Sequence, residues 1–183
     1  MDAFKRASEE MGFRSVICLM PSVINRDFGG YQTSQELYSS TLHKENLVTF
    51  YPSLHSEYTT SKEDVDLILN MVNDLKAPFS THISETKKEV EDCINKRGVS
   101  PVKYFNDLGM FKHGGTLYHG IHLSDDDIKI IADNHVNVVT NPGSNTKLAS
   151  GICDVTKLLR NGINVAIGTA GAASHNSLDM FKE

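Results

Sequence analysis

His82 and His119 are the residues around which chemistry could be built in this chain, with Glu85 beside the first of them. A neutral imidazole binds a divalent cation, and a nearby carboxylate can take up and deliver a proton. The segment Pro78 to Thr86, PFSTHISET, opens on a proline followed by β-forming residues, so Pro78 to Ile83 reads as a strand. Thr86 and Glu89 have the spacing of a capping box, which starts a helix. His82 and Glu85 therefore fall where a strand gives way to a helix, the end of a parallel sheet at which ligands collect. Taken alone, the segment is better read as a strand-end histidine bonded to its own loop and a solvated acid. The same placement recurs at His119, after the short strand Thr116 to Tyr118. Imidazoles from successive strands can share one metal ion, and Glu85 can exchange a proton with water bound there. His122 and His175 sit nearer the mouth of such a site. His43, His113 and His135 read as loop or helix-end residues without a role.

The elements that must position these side chains alternate along the chain. An opening helix over Asp2 to Met11 is followed by a strand, Ser15 to Met20. A polar loop is expected over Pro21 to Gly30 and a helix over Ser34 to Lys44. A second strand covers Asn46 to Tyr51, and the loop after it carries His55, Glu57 and Tyr58. Thr60 and Glu63 are spaced as a capping box for a helix whose stripe is Val65, Leu67, Ile68, Met71, Val72 and Leu75. After the third strand come a helix over Lys87 to Lys96 closed by Gly98, and a short one entered through Ser100-Pro101. Ser124 with Asp127 caps the helix before strand five, Val136 to Thr140. Asn141 to Asn145 reads as a polar loop. Asp154 caps Val155 to Arg160, and strand six is Ile163 to Ile167.

Strand, polar loop and helix in repetition predict right-handed βαβ units on a parallel sheet. No G-x-G-x-x-G follows any strand, which argues against a dinucleotide fold. Polar residues close nearly every strand: His55, His82, Glu85, His119 and Asn141. A site assembled from many strand ends is the habit of a (β/α) barrel, and the alternative is an open doubly wound sheet.

Composition narrows the setting. The chain has 183 residues, 39% hydrophobic and 22% charged, with a net charge of -5. That length suits one domain, and the acidic balance argues against a general nucleic-acid surface. No apolar run approaches the ~20 residues of a membrane span, and the charged N-terminus lacks a signal-peptide core. Cys18, Cys93 and Cys153 are odd in number and far apart, which fits unpaired thiols in a reducing cytoplasm.

The motifs HISET, YHGIHLS, TNPGSNTKLASGI and GTAGAASHNSLDMF, in that order, resemble the second half of the amidohydrolase superfamily. The nearest branch holds the methylthioadenosine/S-adenosylhomocysteine deaminases, guanine deaminases and related chlorohydrolases. The resemblance runs from about His55 to the C-terminus and is carried mainly by the last two motifs. It implies a (β/α)8 TIM-type barrel with one zinc, or iron, ion. It also implies hydrolysis of a purine- or triazine-like ring by a metal-activated water, with ammonia or halide leaving. By resemblance, His82 and His119 are metal ligands, Glu85 the proton shuttle, and His55 and Ser174 contacts to substrate.

Three departures follow from the same comparison. Ala170 stands where the family has a metal-binding aspartate, and alanine offers neither ligand atom nor base. The H-x-H pair of the first strand is absent. A barrel of this kind needs about 250 residues, so the six strands correspond to strands three to eight of an incomplete barrel. The expectation is a partial metal-dependent hydrolase barrel over residues 1–183, inactive alone because of Ala170 and the missing H-x-H pair, and a piece or remnant of a deaminase. The competing expectation is a non-catalytic module of the same fold that binds a nucleotide or another subunit. Its first and last strands would have unpaired edges, predicting a homo-oligomer or a missing N-terminal segment.

Overall fold

The structure is a computed structural model, and it describes residues 2–21, 36, 38, 39, 41 and 47–183. The elements run α1 (Asp2–Glu10), β1 (Ser15–Leu19), β2 (Val48–Pro52), α2 (Lys62–Leu75), β3 (Phe79–Ile83), α3 (Lys87–Arg97), α4 (Pro101–Asp107), β4 (Gly115–His119), α5 (Asp125–Asp133), β5 (Val136–Thr140), α6 (Pro142–Lys147), α7 (Val155–Arg160) and β6 (Val165–Ile167). Most of the loop expected over 21–30 and of the helix expected over 34–44 lies outside the described residues. Of those described, Pro21 is helical rather than in a loop, and Glu36, Tyr38, Ser39 and Thr41 are helical as expected.

Every strand pairing is parallel. β1 pairs with β2, and β3 to β6 follow in sequence order. A bridge from Ser53 to Ser80 and the bonds Leu54 N–H to Ser80 O (3.1 Å) and His82 N–H to His55 O (3.0 Å) join the two groups. Sequential order is the (β/α) barrel arrangement and excludes the doubly wound alternative, whose strand order reverses. The sheet is strongly curled. Three strand spacings separate β1 from β4 by about 14 Å in a flat sheet, yet Cys18 Sγ lies 3.5 Å from the Tyr118 hydroxyl.

Alternation along the strands makes the two faces. Val48 and Phe50, Phe79 and Ile83, Leu117, and Val136 and Val138 are buried toward the helices. There they meet Ile68, Met71, Phe105, Phe111 and Ile131 in one apolar cluster. Phe79 packs against Phe105 and Phe111, ring centroids 5.3 and 6.2 Å away. Truncating such a buried ring costs about 3–5 kcal/mol. The intervening residues, among them Cys18, Ser80, His82, Tyr118 and Val139, line the concave face.

Helix starts are set by side chains that satisfy free backbone N–H groups. Thr86 with Glu89, Ser124 with Asp127, and Ser100 before Pro101 cap as expected. For α2 the cap is Ser61 with Asp64, one residue later than Thr60 with Glu63. Thr60 instead donates its hydroxyl to Ser56 O at 2.9 Å, closing the preceding turn. The other correction is residues 141–145: most of that stretch is helical, because Pro142 at the first position of α6 supplies the helical φ. Among the described residues, no helix is long and apolar enough to cross a membrane.

Candidate active site

A cavity of about 600 Å³ opens on the concave face, and all six strands or the segments after them contribute to it. His55, His82, Glu85, His119, Ala170 and Ser174 all line it, so the residues singled out in the sequence lie together. The rings of His82 and His119 are 5.5 Å apart between centroids, and those of His55 and His82 are 4.9 Å apart. Glu85 Oε2 lies 3.8 Å from His119 Nε2.

Both central imidazoles are held through Nδ1. His82 Nδ1–H donates to the carbonyl of His55 at 2.7 Å. A carbonyl only accepts, so the proton sits on Nδ1 and Nε2 keeps its lone pair. His119 Nδ1–H donates to Asn145 Oδ1 at 2.7 Å, with the same result. Burial, first, holds the His82 imidazole below its ordinary pKa, and the neighbouring His55 and His119 add to that. Its neutral form is thereby favoured.

Backbone geometry aims these groups. Strict alternation would send His119 to the helix side with Leu117. His119 instead adopts φ 74°, a left-handed conformation, which turns its ring into the cavity. Ser84, between His82 and Glu85, has φ 50°. Non-glycine residues rarely hold such angles unless their surroundings enforce them. Here the Glu89 carboxylate accepts from Ser84 N–H at 2.7 Å and Glu85 N–H at 2.8 Å. The carbonyl of Ser84 accepts from Ile121 N–H and His122 N–H at 3.1 and 2.9 Å. The turn carrying Glu85 is thus tied to its own helix and to the loop after β4.

The remaining residues divide by position. His55 Nδ1 contacts Thr59 Oγ1 at 3.0 Å. Ser174 Oγ–H donates to Gly171 O at 3.1 Å. Glu57, from the same loop as His55, is buried and paired with Arg97 Nε at 2.5 Å. His122 contacts the carbonyl of Ser150 at 2.8 Å, and His175 contacts Glu183 Oε1 at 2.9 Å. Neither lines the cavity. Ala170 does, with φ 55° and no polar side-chain atom to present. A Cβ at Gly168 would stand 2.6 Å from Asn141 Oδ1, so a side chain there would displace the Asn141 amide.

Sequence reasoning missed Asn145, Cys18 and Tyr118. Tyr118 was hidden, since alternation from a cavity-facing His119 would turn it to the helix side; both line the cavity because His119 leaves the strand's alternation. Nothing in the sequence marks Asn145, which meets His119 from 26 positions away.

A catalytic zinc usually has three protein ligands. Among the described residues, no group of three or more histidine, cysteine, aspartate or glutamate side chains could hold a metal ion. Two imidazoles with bare Nε2 atoms fall short of such a set among the described residues.

An arc of parallel strands with imidazoles and an acid at the strand ends is the plan of a (β/α)-barrel hydrolase. The amidohydrolase family model matches residues 1–183, and the chain belongs to that family. It is 37% identical over 189 residues to a 5-methylthioadenosine/S-adenosylhomocysteine deaminase of Thermoanaerobacter pseudethanolicus, covering all of this chain and 43% of the relative. Among solved structures, a zinc-bound adenosine deaminase from Xanthomonas campestris superimposes with a TM-score of 0.83 at 28% identity. That match covers 100% of this chain and 42% of the other. A guanine deaminase from C. acetobutylicum with bound guanine gives a TM-score of 0.69 at 28% identity, covering 80% and 36%. The chain spans less than half the length of these relatives.

Proposed function

We propose that this chain carries the imidazole pair and the proton-carrying acid of a metal-dependent aminohydrolase acting on a purine- or triazine-like ring. The observation that supports it is the common cavity wall formed by His82, His119 and Glu85, both imidazoles having Nδ1 bonded and Nε2 bare. His82 and His119 are the proposed ligands to one divalent metal, zinc first and iron second. A divalent metal held there would supply Lewis-acid activation of water. Glu85 Oε2 accepts a proton and returns it to the ring nitrogen or the leaving amine. His55 and Ser174 are the proposed contacts to substrate. The deaminase relatives favour ammonia as the leaving group.

Ala170 bears on whether the chain turns over. In the resemblance that position is an aspartate, and here it has no ligand atom. The reading therefore includes an inactive site in the chain alone, and the second reading, nucleotide binding without turnover, rests on the same alanine. Three free cysteines suit a cytoplasmic setting. Calorimetry with adenosine, 5′-methylthioadenosine and guanine, together with ammonia release, separates the two readings. The aminohydrolase reading expects purine binding to the chain, and ammonia release with zinc once Ala170→Asp is introduced in a barrel that also supplies the first-strand H-x-H pair. Binding without ammonia from either form favours the second, and no binding by either form rejects both.

A further inference from the structure

We propose that Cys18 is a modification site, the thiol at which a small uncharged electrophile enters the cavity, with the Ser53 and Ser80 hydroxyls receiving its carbonyl group. Cys18 lines the cavity from β1 and is half-buried. Cys93 and Cys153 are 1% and 6% exposed. Cys153 donates its thiol to Gly120 O at 3.4 Å. Burial pushes the Cys93 thiol up to about 11 and raises that of Cys153 as well. A thiol reacts as its thiolate, so both are poor nucleophiles at neutral pH.

The second observation concerns the hydroxyls beside Cys18. Ser53 and Ser80 are paired across β2 and β3, and both line the same cavity. They are 3% and 1% exposed; Ser53 Oγ has no hydrogen-bond partner, and the partner within reach of Ser80 Oγ is the Tyr118 hydroxyl beside Cys18. A buried hydroxyl left unpaired costs free energy that an incoming acceptor recovers. The Cys18–Tyr118 contact crosses the concave face between β1 and β4, with Ser53, just past the end of β2, and Ser80, on β3, between them. Thiol and hydroxyls thus form one patch. Among the described residues no lysine or arginine lines the cavity, while Glu85 does, so a neutral reagent suits it better than an anionic one.

The reaction with iodoacetamide is a displacement. The Cys18 sulfur forms a bond to the methylene carbon, the carbon–iodine bond breaks, iodide leaves, and the thiol proton passes to buffer. The proposal stands apart from the aminohydrolase reading and does not require turnover. The test is native alkylation of the full chain by iodoacetamide, followed by peptide mapping, with circular dichroism to check the fold. Cys18 is expected to react roughly tenfold faster than Cys93 or Cys153. Ser80→Ala is expected to slow Cys18 at least about threefold while leaving the other two unchanged. Ser53→Ala serves if that variant fails to fold. Equal rates at all three thiols, or a Cys18 rate indifferent to a folded serine variant, would overturn the proposal.

Discussion

The carbonyl oxygen of His55 lies 2.7 Å from Nδ1 of His82, and it also accepts the backbone N–H of His82 at 3.0 Å. One peptide group thus fixes both the register of β3 beside the end of β2 and the tautomer of the imidazole. The protein backbone does for His82 what a side chain, Asn145, does for His119. Outer partners of this kind orient metal-binding histidines.

Because Asn145 is replaceable and a carbonyl is not, the two arrangements predict different sensitivities. Asn145→Leu leaves the buried His119 N–H without an acceptor. It is expected to destabilise the fold by about 1–3 kcal/mol in denaturant titrations. Nitrogen NMR is expected to show His119 losing its single tautomer while His82 keeps its own.

Glu89 is the acid that holds the Glu85 turn, through Ser84 and Glu85 N–H, as well as closing the capping box of α3. Glu89→Ala is expected to cost about 2 kcal/mol. Glu89→Gln, which keeps an acceptor, is expected to cost less. Hydrogen exchange at residues 84–86 should quicken in the alanine variant, and unchanged exchange there would contradict the assignment.

Cys93 gives a pH dependence whose sign is definite. Its folded pKa of about 11 lies above the ordinary thiol value of 9.0, with burial the largest cause and Glu57 the next. Between those values the unfolded chain has released the proton and the folded chain has not. Stability contributed by the neutral thiol is therefore full below pH 9 and is lost as pH rises toward about 11. Thermal unfolding of Cys93→Ala is expected to fall less steeply across that window than unfolding of the parent chain.

The ends of the arc predict association. Among the described residues β1 pairs only with β2 and β6 only with β5. Val16 on β1 is 51% exposed and Ile167 on β6 is 52% exposed. Size-exclusion chromatography is expected to show species larger than 20.2 kDa, and Val16→Ser with Ile167→Ser to shift them toward monomer. A stable parent monomer would count against this.

The parts of the molecule governed by local chemistry were readable in advance. Thr86 and Glu89, Ser124 and Asp127, and the strand Val136–Thr140 follow from spacing and β-propensity within a few residues. Capping at Ser61 rather than Thr60 was missed because neighbouring hydroxyls compete for one helix start, and the contact to Ser56 decides between them. The helix over Pro142–Lys147 was missed because glycine, serine and asparagine disfavour helix in isolation. Of the site, the imidazoles and the acid were legible from their place at strand ends. The left-handed turn at His119 and its bond to Asn145 depend on elements far apart in sequence, which no local pattern encodes.

Zinc titration by calorimetry, across the chain, Ala170→Asp and that variant combined with His82→Ala or His119→Ala, tests most directly whether the bare Nε2 atoms face one point. Ala170→Asp is well placed for the trial, since aspartate accepts the left-handed backbone at position 170 more readily than alanine does. The expected result is weak binding by the parent chain, binding tighter by at least about tenfold in Ala170→Asp, and loss of that gain when either histidine is removed. A gain that survives removal of His82 or His119 would contradict the account.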